Sequence, residues 1–503
     1  MKVLFVYAES EQGGFKPMGI SLLSSILLKE GHDRLLFDTS IYDINIKGRV
    51  HEILTSEAQL VYPHVNMPDA AIKRISKDFA LSFNETIENY KPDLVAFSTT
   101  SLMYVLVETL VRELKSKKRP KLAIGGIHAL SYTDDLVSSG MFDYICYGEG
   151  ENTIKEIVKH VAGEIEASDI PNIIVKIGGK YIKNKPSVII SNLDDLPFYD
   201  WSLYMDYHFW RPYQGSAYRM GDYQSSRGCP YKCLFCFYNT FYKANKEVKT
   251  IRFYSADRCI SEMEELTKCY DLHFWKFHDS DFLLRPEKDF AELMGEYNKR
   301  IGLPFVCNTN ANSISKEKAK LLKSANCKSV TLGLESGSER IRRQVLGKEV
   351  SNKKIIEAVS FLKNEGLRVC TSNMLGLPEE TENDLRETIS LNRIASPDLA
   401  EPSFFYPFKG TELGDNCYKN GFVKDHSNEL VNLRTDYVME MPQISNETLF
   451  GINRAFPLYM NLPEQLDQII RLAERYDNTG HKVYQTLHHI VQNKINKRLD
   501  KKQ

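Results

Sequence analysis

Short apolar runs alternate with amphipathic segments of helical length along the first part of the chain. The runs of strand length are residues 3–7, 35–38, 94–98, 122–125 and 144–147. Between them, apolar residues recur at helical spacing in residues 20–28, 105–114 and 153–162. Strands that alternate with helices favour an α/β fold with a doubly wound parallel sheet. We therefore predict a Rossmann-like domain over residues 1–165, in which residues 42–79 fit the alternation poorly and receive no role.

A second series of strand and helix signals occupies residues 219–410. Its six strand candidates are residues 223–226, 275–278, 305–308, 329–334, 369–374 and 401–406. Six such repeats predict a partial (β/α)6 barrel, and barrels of parallel strands carry their chemistry at the carboxyl ends of the strands. Residues 166–218 are predicted to form a hairpin and a linker. Helical patterns dominate residues 411–503, which we predict to be a mainly helical C-terminal domain.

Length and charge narrow the possible surroundings and partners. A chain of 503 residues is long enough for several domains. Its 65 Lys and Arg residues nearly cancel its 66 Asp and Glu residues, so we expect no nucleic-acid partner. The sequence shows no signal peptide and no run of about 20 apolar residues that would span a membrane. We therefore expect a cytoplasmic protein without a transmembrane segment, in which clustered cysteines indicate metal binding rather than disulfides.

Three cysteines, Cys229, Cys233 and Cys236, have the spacing C-x3-C-x2-C directly after the first predicted barrel strand. Three thiolates can hold three irons of a cubane cluster and leave the fourth iron without a protein ligand. A zinc site is the alternative, but zinc normally takes four ligands and no second pair of Cys or His lies nearby. The other cysteines are scattered, and the first domain has only Cys146. A second cluster of the kind that methylthiotransferases carry is therefore not expected.

The second domain resembles the radical S-adenosylmethionine (SAM) superfamily. The resemblance implies a [4Fe–4S] cluster on the three cysteines, with SAM chelating the open iron and Phe235 packing on its adenine. The segment at Asp279 and Ser280 resembles a second-strand motif that usually reads Asp-Asp-x-Phe, with Ser280 in place of the second acid. Further SAM-binding residues are implied after the third, fourth and fifth barrel strands: Asn308, Asn310, Glu335, Ser336, Gly376 and Leu377.

The loops after four strands of the first domain are rich in glycine and hydroxyl residues. Ligands of open parallel sheets bind at the carboxyl ends of the strands, where glycine permits close backbone approach and hydroxyls supply donors. These loops resemble the cobalamin-binding domain found before many radical SAM enzymes. The implied cobalamin residues are Gly13, Gly14, Thr99, Thr100, Ser101, Gly125, Gly126, Ile127, His128, Gly148, Glu149, Gly150 and Glu151.

The sequence departs from one cobalamin pattern, because it contains no Asp-x-His-x-x-Gly motif for a lower axial histidine. Many cobalamin-dependent radical SAM enzymes also lack that motif. Two alternatives therefore stay open for the first domain: cobalamin binding, or a scaffold that has lost its ligand.

The combined resemblance implies a cobalamin-dependent radical SAM methyltransferase, which methylates an unactivated carbon through a 5'-deoxyadenosyl radical and methylcobalamin. The alternative within the family is a cyclase, an oxidase or a ring-rearranging enzyme without methyl transfer. A rival of another class is a redox sensor that uses the cluster without turnover. We expect a small-molecule or peptide substrate, anaerobic chemistry and an external electron donor such as flavodoxin or ferredoxin. Tyr437, Phe456 and Tyr459 either close the substrate side or belong to the core.

Overall fold

The first sheet contains seven strands. A computed structural model describes residues 1–10, 16–44, 65–71, 73, 75–116, 118–186, 189–245, 251–424 and 429–500. The strands are β1 (Lys2–Tyr7), β2 (Asp33–Asp38), β3 (Leu94–Ser98), β4 (Lys121–Gly125), β5 (Tyr144–Cys146), β6 (Ile173–Ile177) and β7 (Lys180–Lys183). Their order is β2-β1-β3-β4-β5-β6-β7, with β1 to β5 parallel and the hairpin of β6 and β7 antiparallel. The predicted hairpin therefore extends the first sheet.

Helices cover both faces of this sheet because its interior strand β1 carries apolar side chains on both sides. Val3 and Phe5 of β1 pack in one core cluster with the helices Met18–Lys29 and Gly150–Val161. Leu4 and Val6 pack in another cluster with the helices Phe79–Tyr90 and Tyr104–Arg112. Two shorter helices, Ile127–Ser131 and Thr133–Ser139, follow β4. The prediction of a doubly wound sheet is confirmed.

The second sheet forms a partial barrel. Its strands are β8 (Trp210–Tyr213), β9 (Ser216–Tyr223), β12 (Phe274–Phe277), β13 (Phe305–Thr309), β14 (Cys327–Glu335), β15 (Arg368–Leu375) and β16 (Leu399–Phe404), while β10 (Ser226–Arg227) and β11 (Arg252–Phe253) pair separately. Six strands, β9 and β12 to β16, are parallel, as predicted, and β8 adds an antiparallel edge. The helices of this barrel are Phe237–Asn245, Ala256–Tyr270, Glu287–Arg300, Lys316–Ser324, Asn352–Asn364, Glu382–Ala395 and Glu412–Lys419.

The first barrel strand differs from the prediction, which placed it at residues 223–226. It runs instead from Ser216 to Tyr223 and pairs with β8 across a two-residue turn at Gln214 and Gly215. Both turn residues have positive φ, the backbone shape that a tight hairpin requires. Pairing with β8 therefore decides where the strand lies, and residues 224–225 become part of the loop that leads to the cysteines.

The segment between the two sheets is packed rather than free. Trp201 is buried, and its ring lies 5.9 Å from the ring of Trp275 on β12. Trp201 also shares one core cluster with Val3 of the first sheet. The hydrophobic core is therefore continuous from the first sheet into the barrel.

The C-terminal region is helical, with helices Asn446–Asn461, Asp467–Ala473 and Asn478–Asp500. Tyr437, Phe456 and Tyr459 are buried in the same core cluster as Leu377 of the barrel. The three aromatic side chains therefore belong to the core. No helix within the described ranges has both the length and the apolar character that a membrane crossing requires.

Candidate functional site

The carboxyl ends of the parallel strands in the two sheets meet each other. Arg227, just before the cysteine loop, donates to Glu149 (3.2 Å) and to Glu151 (2.6 Å), which follow β5. The helix Ile127–Ser131 after β4 packs on the helix Phe237–Asn245 that follows the cysteine loop. The two predicted cofactor sites therefore share one interface.

The three cysteines lie in the loop between β10 and the helix Phe237–Asn245. Cys229, Cys233 and Cys236 are each partly buried and form no disulfide. Three reduced cysteines in one loop are the donor set that a cubane cluster with one open iron requires. In the described part of the chain, no group of three or more His, Cys, Asp and Glu side chains converges as closely as a single metal ion needs.

Backbone N–H groups of the cysteine loop donate to other parts of the fold. The Cys229 N–H donates to the Tyr242 hydroxyl at 3.1 Å. The Leu234 N–H donates to the Leu346 carbonyl at 2.9 Å. Phe235 is half-buried and packs against the core cluster of the C-terminal region. The fold therefore presents the loop in a defined shape.

Asp279 lies under the cysteine loop rather than at the open end of the barrel. Its carboxylate accepts from the Ser225 N–H (3.1 Å), the Ser225 hydroxyl (2.8 Å) and the Ser226 hydroxyl. Burial raises the pKa of Asp279, and the hydrogen bonds from Ser226 and Ser225 oppose that shift. Asp279 thereby ties β12 to the segment that leads into the cysteines, while Ser280 next to it is exposed.

Asn308 and Asn310 lie at the carboxyl end of β13 and are partly exposed. The Asn310 side chain accepts from the Asn312 N–H at 3.0 Å, which fixes the turn after the strand. Asn308 remains at the open end, where its amide can serve a ligand.

Glu335 ends β14 with an ion pair that the sequence did not indicate. Its carboxylate lies 2.8 Å from the Lys348 Nζ, and Lys348 also donates to the Gly333 carbonyl at 2.6 Å. A Cβ on Gly333 would lie 2.1 Å from the Glu335 carboxylate, so a side chain there would displace this ion pair. Ser336 is fully buried and its hydroxyl accepts from the Ser338 N–H, so its side chain braces the loop.

We expect Glu335→Ala to weaken SAM binding and to leave cluster absorption intact. Loss of a hydrogen bond to a charged partner typically costs about 1.5–3 kcal/mol, or roughly tenfold to a hundredfold in affinity. Equilibrium binding of SAM to the reconstituted protein measures the change. Glu379→Ala is the matched control, because Glu379 also follows a barrel strand with positive φ but is exposed. Equal SAM affinity in both variants would show that Glu335 does not bind SAM and has only a structural role.

The loop after β15 is closed by a buried glutamate. The Glu380 carboxylate accepts from the N–H groups of Gly376 (2.7 Å) and Leu377 (3.0 Å). Gly376 has φ +78°, and a Cβ there would lie 2.5 Å from the Tyr437 ring. Gly376 and Leu377 are both buried, and the Gly376 carbonyl accepts from the Tyr437 hydroxyl at 2.8 Å.

Burial raises the pKa of Glu380 to about 8, against hydrogen bonds from Leu377 and Gly376 that lower it. The unfolded chain releases this proton near pH 4.5 while the folded chain keeps it to about pH 8, so this group makes stability fall as pH rises through that window. Glu380→Gln has no proton to release, so we expect it to lack this pH-dependent fall in stability. In wild type the fall should be on the order of 2–4 kcal/mol between about pH 5 and pH 8. Thermal unfolding across this range, with Glu379→Gln as the control, measures it. Parallel pH profiles of wild type and Glu380→Gln would refute the expectation.

The predicted cobalamin loops after β3 and β4 are in contact with each other. Gly126 has φ +91°, and a Cβ on it would lie 2.8 Å from the Thr99 carbonyl oxygen. The His128 N–H donates to the same carbonyl. Gly126 therefore allows the two loops to pack closely. The same two loops contain the predicted residues Thr100, Ser101, Gly125 and Ile127. Gly13 and Gly14 lie outside the described residues.

Several buried polar atoms in these two loops have no hydrogen-bond partner among the described residues. They include the Ser101 Oγ, the His128 Nδ1 and the Ser131 Oγ. Buried polar groups normally find a partner, so unpaired ones indicate a polar ligand or water. The set fits cobalamin, whose amide side arms both donate and accept.

His128 is enclosed between two tyrosine rings. Its ring centroid lies 3.9 Å from that of Tyr104 and 4.5 Å from that of Tyr132, with near-parallel planes. Burial, assisted by the positive charge of Lys409, lowers the pKa of His128 to about 3. The imidazole is therefore neutral at neutral pH and held inside a stack.

The predicted residues after β5 contact protein rather than open space. A Cβ on Gly148 would lie 2.7 Å from the Asn172 side chain, and one on Gly150 would lie 3.4 Å from Leu23. Burial opposes ionisation of Glu149, but Arg252 and Arg227 keep its pKa below the usual value. The two glutamates, Glu149 and Glu151, are therefore interdomain ion-pair partners.

Sequence reasoning missed Arg227, Arg252 and Lys348. Arg252 donates to Glu149 at 2.6 Å and to the Ile190 carbonyl at 2.6 Å. Arg227 was the easiest to find, since it directly precedes the Gly228-Cys229 start of the cysteine motif. Arg252 and Lys348 carry no local signal, because their partners lie in other parts of the fold.

Two family models match the chain. Residues 223–391 match the radical SAM superfamily, and residues 64–158 match the B12 binding domain. An uncharacterized methyltransferase of Pyrococcus horikoshii is 27% identical over 70% of this chain and 75% of its own length. An anaerobic magnesium-protoporphyrin IX monomethyl ester cyclase of Rubrivivax gelatinosus is 26% identical over 79% of this chain and 72% of its own length.

A solved structure shares the arrangement of both domains. The cobalamin-dependent S-adenosylmethionine radical enzyme OxsB, with aqua-cobalamin bound, superposes with a TM-score of 0.64 at 13% identity. The match covers 98% of this chain and 72% of OxsB, so the fold is common to both.

The cofactors follow from the two family matches. A radical SAM domain implies a [4Fe–4S] cluster and SAM, and a B12 binding domain implies cobalamin. The thiol donor set and the unpaired polar atoms between β3 and β4 agree with both implications. The chain belongs to the cobalamin-dependent radical SAM enzymes, with a cobalamin-binding domain before the radical SAM barrel.

Proposed function

We propose that this enzyme methylates an unactivated carbon atom of a small-molecule or peptide substrate. The observation that carries the proposal is that the carboxyl ends of the strands in the two sheets meet. Arg227, before the cysteine loop, pairs there with Glu149 and Glu151, which lie beside the cobalamin loops. A substrate held at this interface lies within reach of both cofactors, as transfer of a methyl group to a carbon radical requires.

The chain supplies ligands, orientation and exclusion of water. Cys229, Cys233 and Cys236 would hold the cluster. The residues that would border SAM are Phe235, Ser280, Asn308, Asn310, Glu335 and Gly376, and those that would border cobalamin are Thr99, Thr100, Ser101, Gly125, Gly126 and Ile127. When bound, the cluster would supply the electron for reductive cleavage of SAM, SAM would supply the hydrogen-abstracting radical, and cobalamin would supply the methyl group.

The cluster needs an electron from outside the chain. We propose a cytoplasmic donor such as flavodoxin or ferredoxin, working under anaerobic conditions. The buried ion pairs around Arg227 and the continuous core through Trp201 keep the two domains together while the reactive species form.

Methyl transfer is supported by the Pyrococcus horikoshii relative, which is named a methyltransferase. The Rubrivivax gelatinosus relative is named a cyclase, and this favours a second candidate: radical cyclisation or oxidation without methyl transfer. The two candidates differ in the mass of the product, because only methylation adds a carbon atom.

The test is anaerobic reconstitution with cobalamin, reductant and SAM that carries a trideuterated methyl group, followed by mass comparison of cell extracts. We expect a metabolite that gains the labelled methyl group only when cobalamin is present. Formation of 5'-deoxyadenosine with an unlabelled, altered metabolite would favour the cyclase alternative. Absence of 5'-deoxyadenosine under all conditions would favour a redox sensor.

We also expect bound cobalamin to carry no histidine on the lower face of cobalt. His128 is held between Tyr104 and Tyr132 and is 4% exposed, so coordination would require the stack to open. Electron paramagnetic resonance of the reduced cobalamin form should therefore show a base-off spectrum without splitting from a histidine nitrogen. His128→Phe, which keeps a stacked ring, should give the same spectrum. Nitrogen splitting that disappears in His128→Phe would contradict the assignment.

A further inference from the structure

Lys276 lies on the inner face of the partial barrel. Its neighbours on β12, Trp275 and Phe277, are fully buried in the core cluster that the outer helices complete. Side chains alternate along a strand, so Lys276 faces the opposite side, the lumen. It is partly exposed although β12 is paired on both sides, by β9 and by β13. Its exposed surface therefore opens into the lumen.

The carboxylate nearest to Lys276 along the sheet, that of Asp222, already has other hydrogen-bond and ion-pair partners. Lys276 is in register with Asp222 on β9. Asp222 Oδ1 accepts from Arg211 (2.6 Å) and contacts the His278 Nε2 (2.7 Å), and its Oδ2 lies 3.0 Å from the Lys16 Nζ. Asp222 also accepts a second Arg211 hydrogen bond and the Lys16 N–H. Every acceptor position of this carboxylate is occupied by groups other than Lys276.

Lys276 has no hydrogen bond and no ion pair with any residue in the described ranges. The charges that act on it are Arg211, Asp222 and Glu401. Glu401, on β16, has a cation of its own at 3.9 Å, the Arg434 guanidinium. Lysine is rarely buried without a partner, because removal of an ammonium group from water is costly. Lys276 is therefore a lumen cation that no carboxylate of the described residues pairs with directly.

We propose that Lys276 binds an oxyanion of the substrate, a carboxylate or a phosphoryl group, inside the barrel lumen. This inference rests on the proposed function only in that a substrate occupies the lumen. Lys276 precedes the strand-end residues Asp279 and Ser280, so it lies deeper in the barrel than the loops assigned to SAM. The oxyanion would thus anchor the substrate below the reacting carbon and hold that carbon toward the cysteine loop.

The experiment uses the holoenzyme with cluster, cobalamin and SAM, and measures reductive methylation of individual lysines by labelled formaldehyde and borane. Peptide mass spectrometry gives the rate at Lys276 with no anion, with acetate, with methylphosphonate or with inorganic phosphate. We expect labelling of Lys276 to slow about tenfold or more when the matching anion occupies the site. Acetate and methylphosphonate distinguish a carboxylate site from a phosphoryl site. Lys268, an exposed lysine paired with Glu264, is the internal control and should not respond.

Variants test the same site without a chemical label. Lys276→Met should weaken binding of the protecting anion about tenfold to a hundredfold, and Lys276→Arg should retain most of it. Lys268→Met should behave as wild type. The methylated metabolite from the isotope experiment should be an anion that an anion-exchange resin retains.

Three results would overturn the inference: no protection by any of the three anions, full protection by SAM alone, or unchanged anion binding in Lys276→Met. A neutral methylated metabolite with an unchanged KM in Lys276→Met would overturn it as well. Protection by an anion without any methylated metabolite would instead reject the proposed methyl transfer and leave the oxyanion site standing. The two failures are therefore distinguishable.

Discussion

Simultaneous replacement of Cys229, Cys233 and Cys236 with alanine is expected to abolish the iron–sulfur chromophore and all reductant-dependent cleavage of SAM. The cluster would lose its three protein ligands at once. The loop itself should keep its shape, because its contacts to Tyr242 and Leu346 use backbone N–H groups rather than sulfur. Iron and sulfide analysis, absorption spectra and 5'-deoxyadenosine formation measure the loss.

Cys269→Ala is the control for this prediction, since Cys269 is exposed and lies on the helix Ala256–Tyr270, away from the cysteine loop. It should bind iron and cleave SAM as wild type does. If the triple variant still held about four irons per chain after reconstitution, the ligand assignment would be wrong.

Asp222→Asn is expected to destabilise the barrel by about 3–5 kcal/mol, because it removes the carboxylate that pairs with a buried group of cations. Asp222 is fully buried and is bound by Arg211, Lys16 and His278. Burial lowers the pKa of Lys16 to about 7, and the charge of Asp222 opposes that shift. Asparagine has nearly the same shape, so the loss reports the charge rather than a cavity.

Asp206→Asn is the matched control, because Asp206 pairs with Arg219 in the same region but its side chain is 49% exposed. A surface pair of this kind contributes about 0–1 kcal/mol. Chemical unfolding of both variants, with hydrogen exchange of β9 and β12, measures the difference. Equal unfolding midpoints for the two variants would contradict the prediction, because the protein would then tolerate the cations around residue 222 without the charge of Asp222.

The pattern of the chain predicted the architecture well, because alternation of strands and helices depends on local residue periodicity. Five of the six parallel barrel strands lie where the apolar runs indicated. The exception is β9, whose position depends on the hairpin with β8 and on close packing with the next strand. A Cβ on Gly221 would lie 2.5 Å from the Trp275 ring, so the glycine is explained only by a strand that arrives more than fifty residues later.

The contacts that single site residues make within the protein were not predicted. Glu149 and Glu151 matched a cobalamin pattern, yet their carboxylates are paired with Arg227, and Ser336 matched a SAM pattern, yet it is buried. A motif records which residue types occur in order, whereas a contact depends on which elements the fold brings together. For the same reason the sequence did not predict the role of Lys348. Its ion pair with Glu335 forms only when the segment after β14 turns back on the strand.

The sequence by itself determined the chemistry of this protein: three cysteines in one short loop, a βα series on either side of residue 200, and the cofactors that these patterns imply. These features are local, so residue order alone carries them. Only the tertiary structure decided how the two halves meet, with Arg227 paired across the interface, Asp222 enclosed by Lys16 and Arg211, and Lys276 without an ion pair among the described residues. Those arrangements join residues far apart in the chain, and their energies depend on burial and on charge neighbours that exist only after the chain has folded.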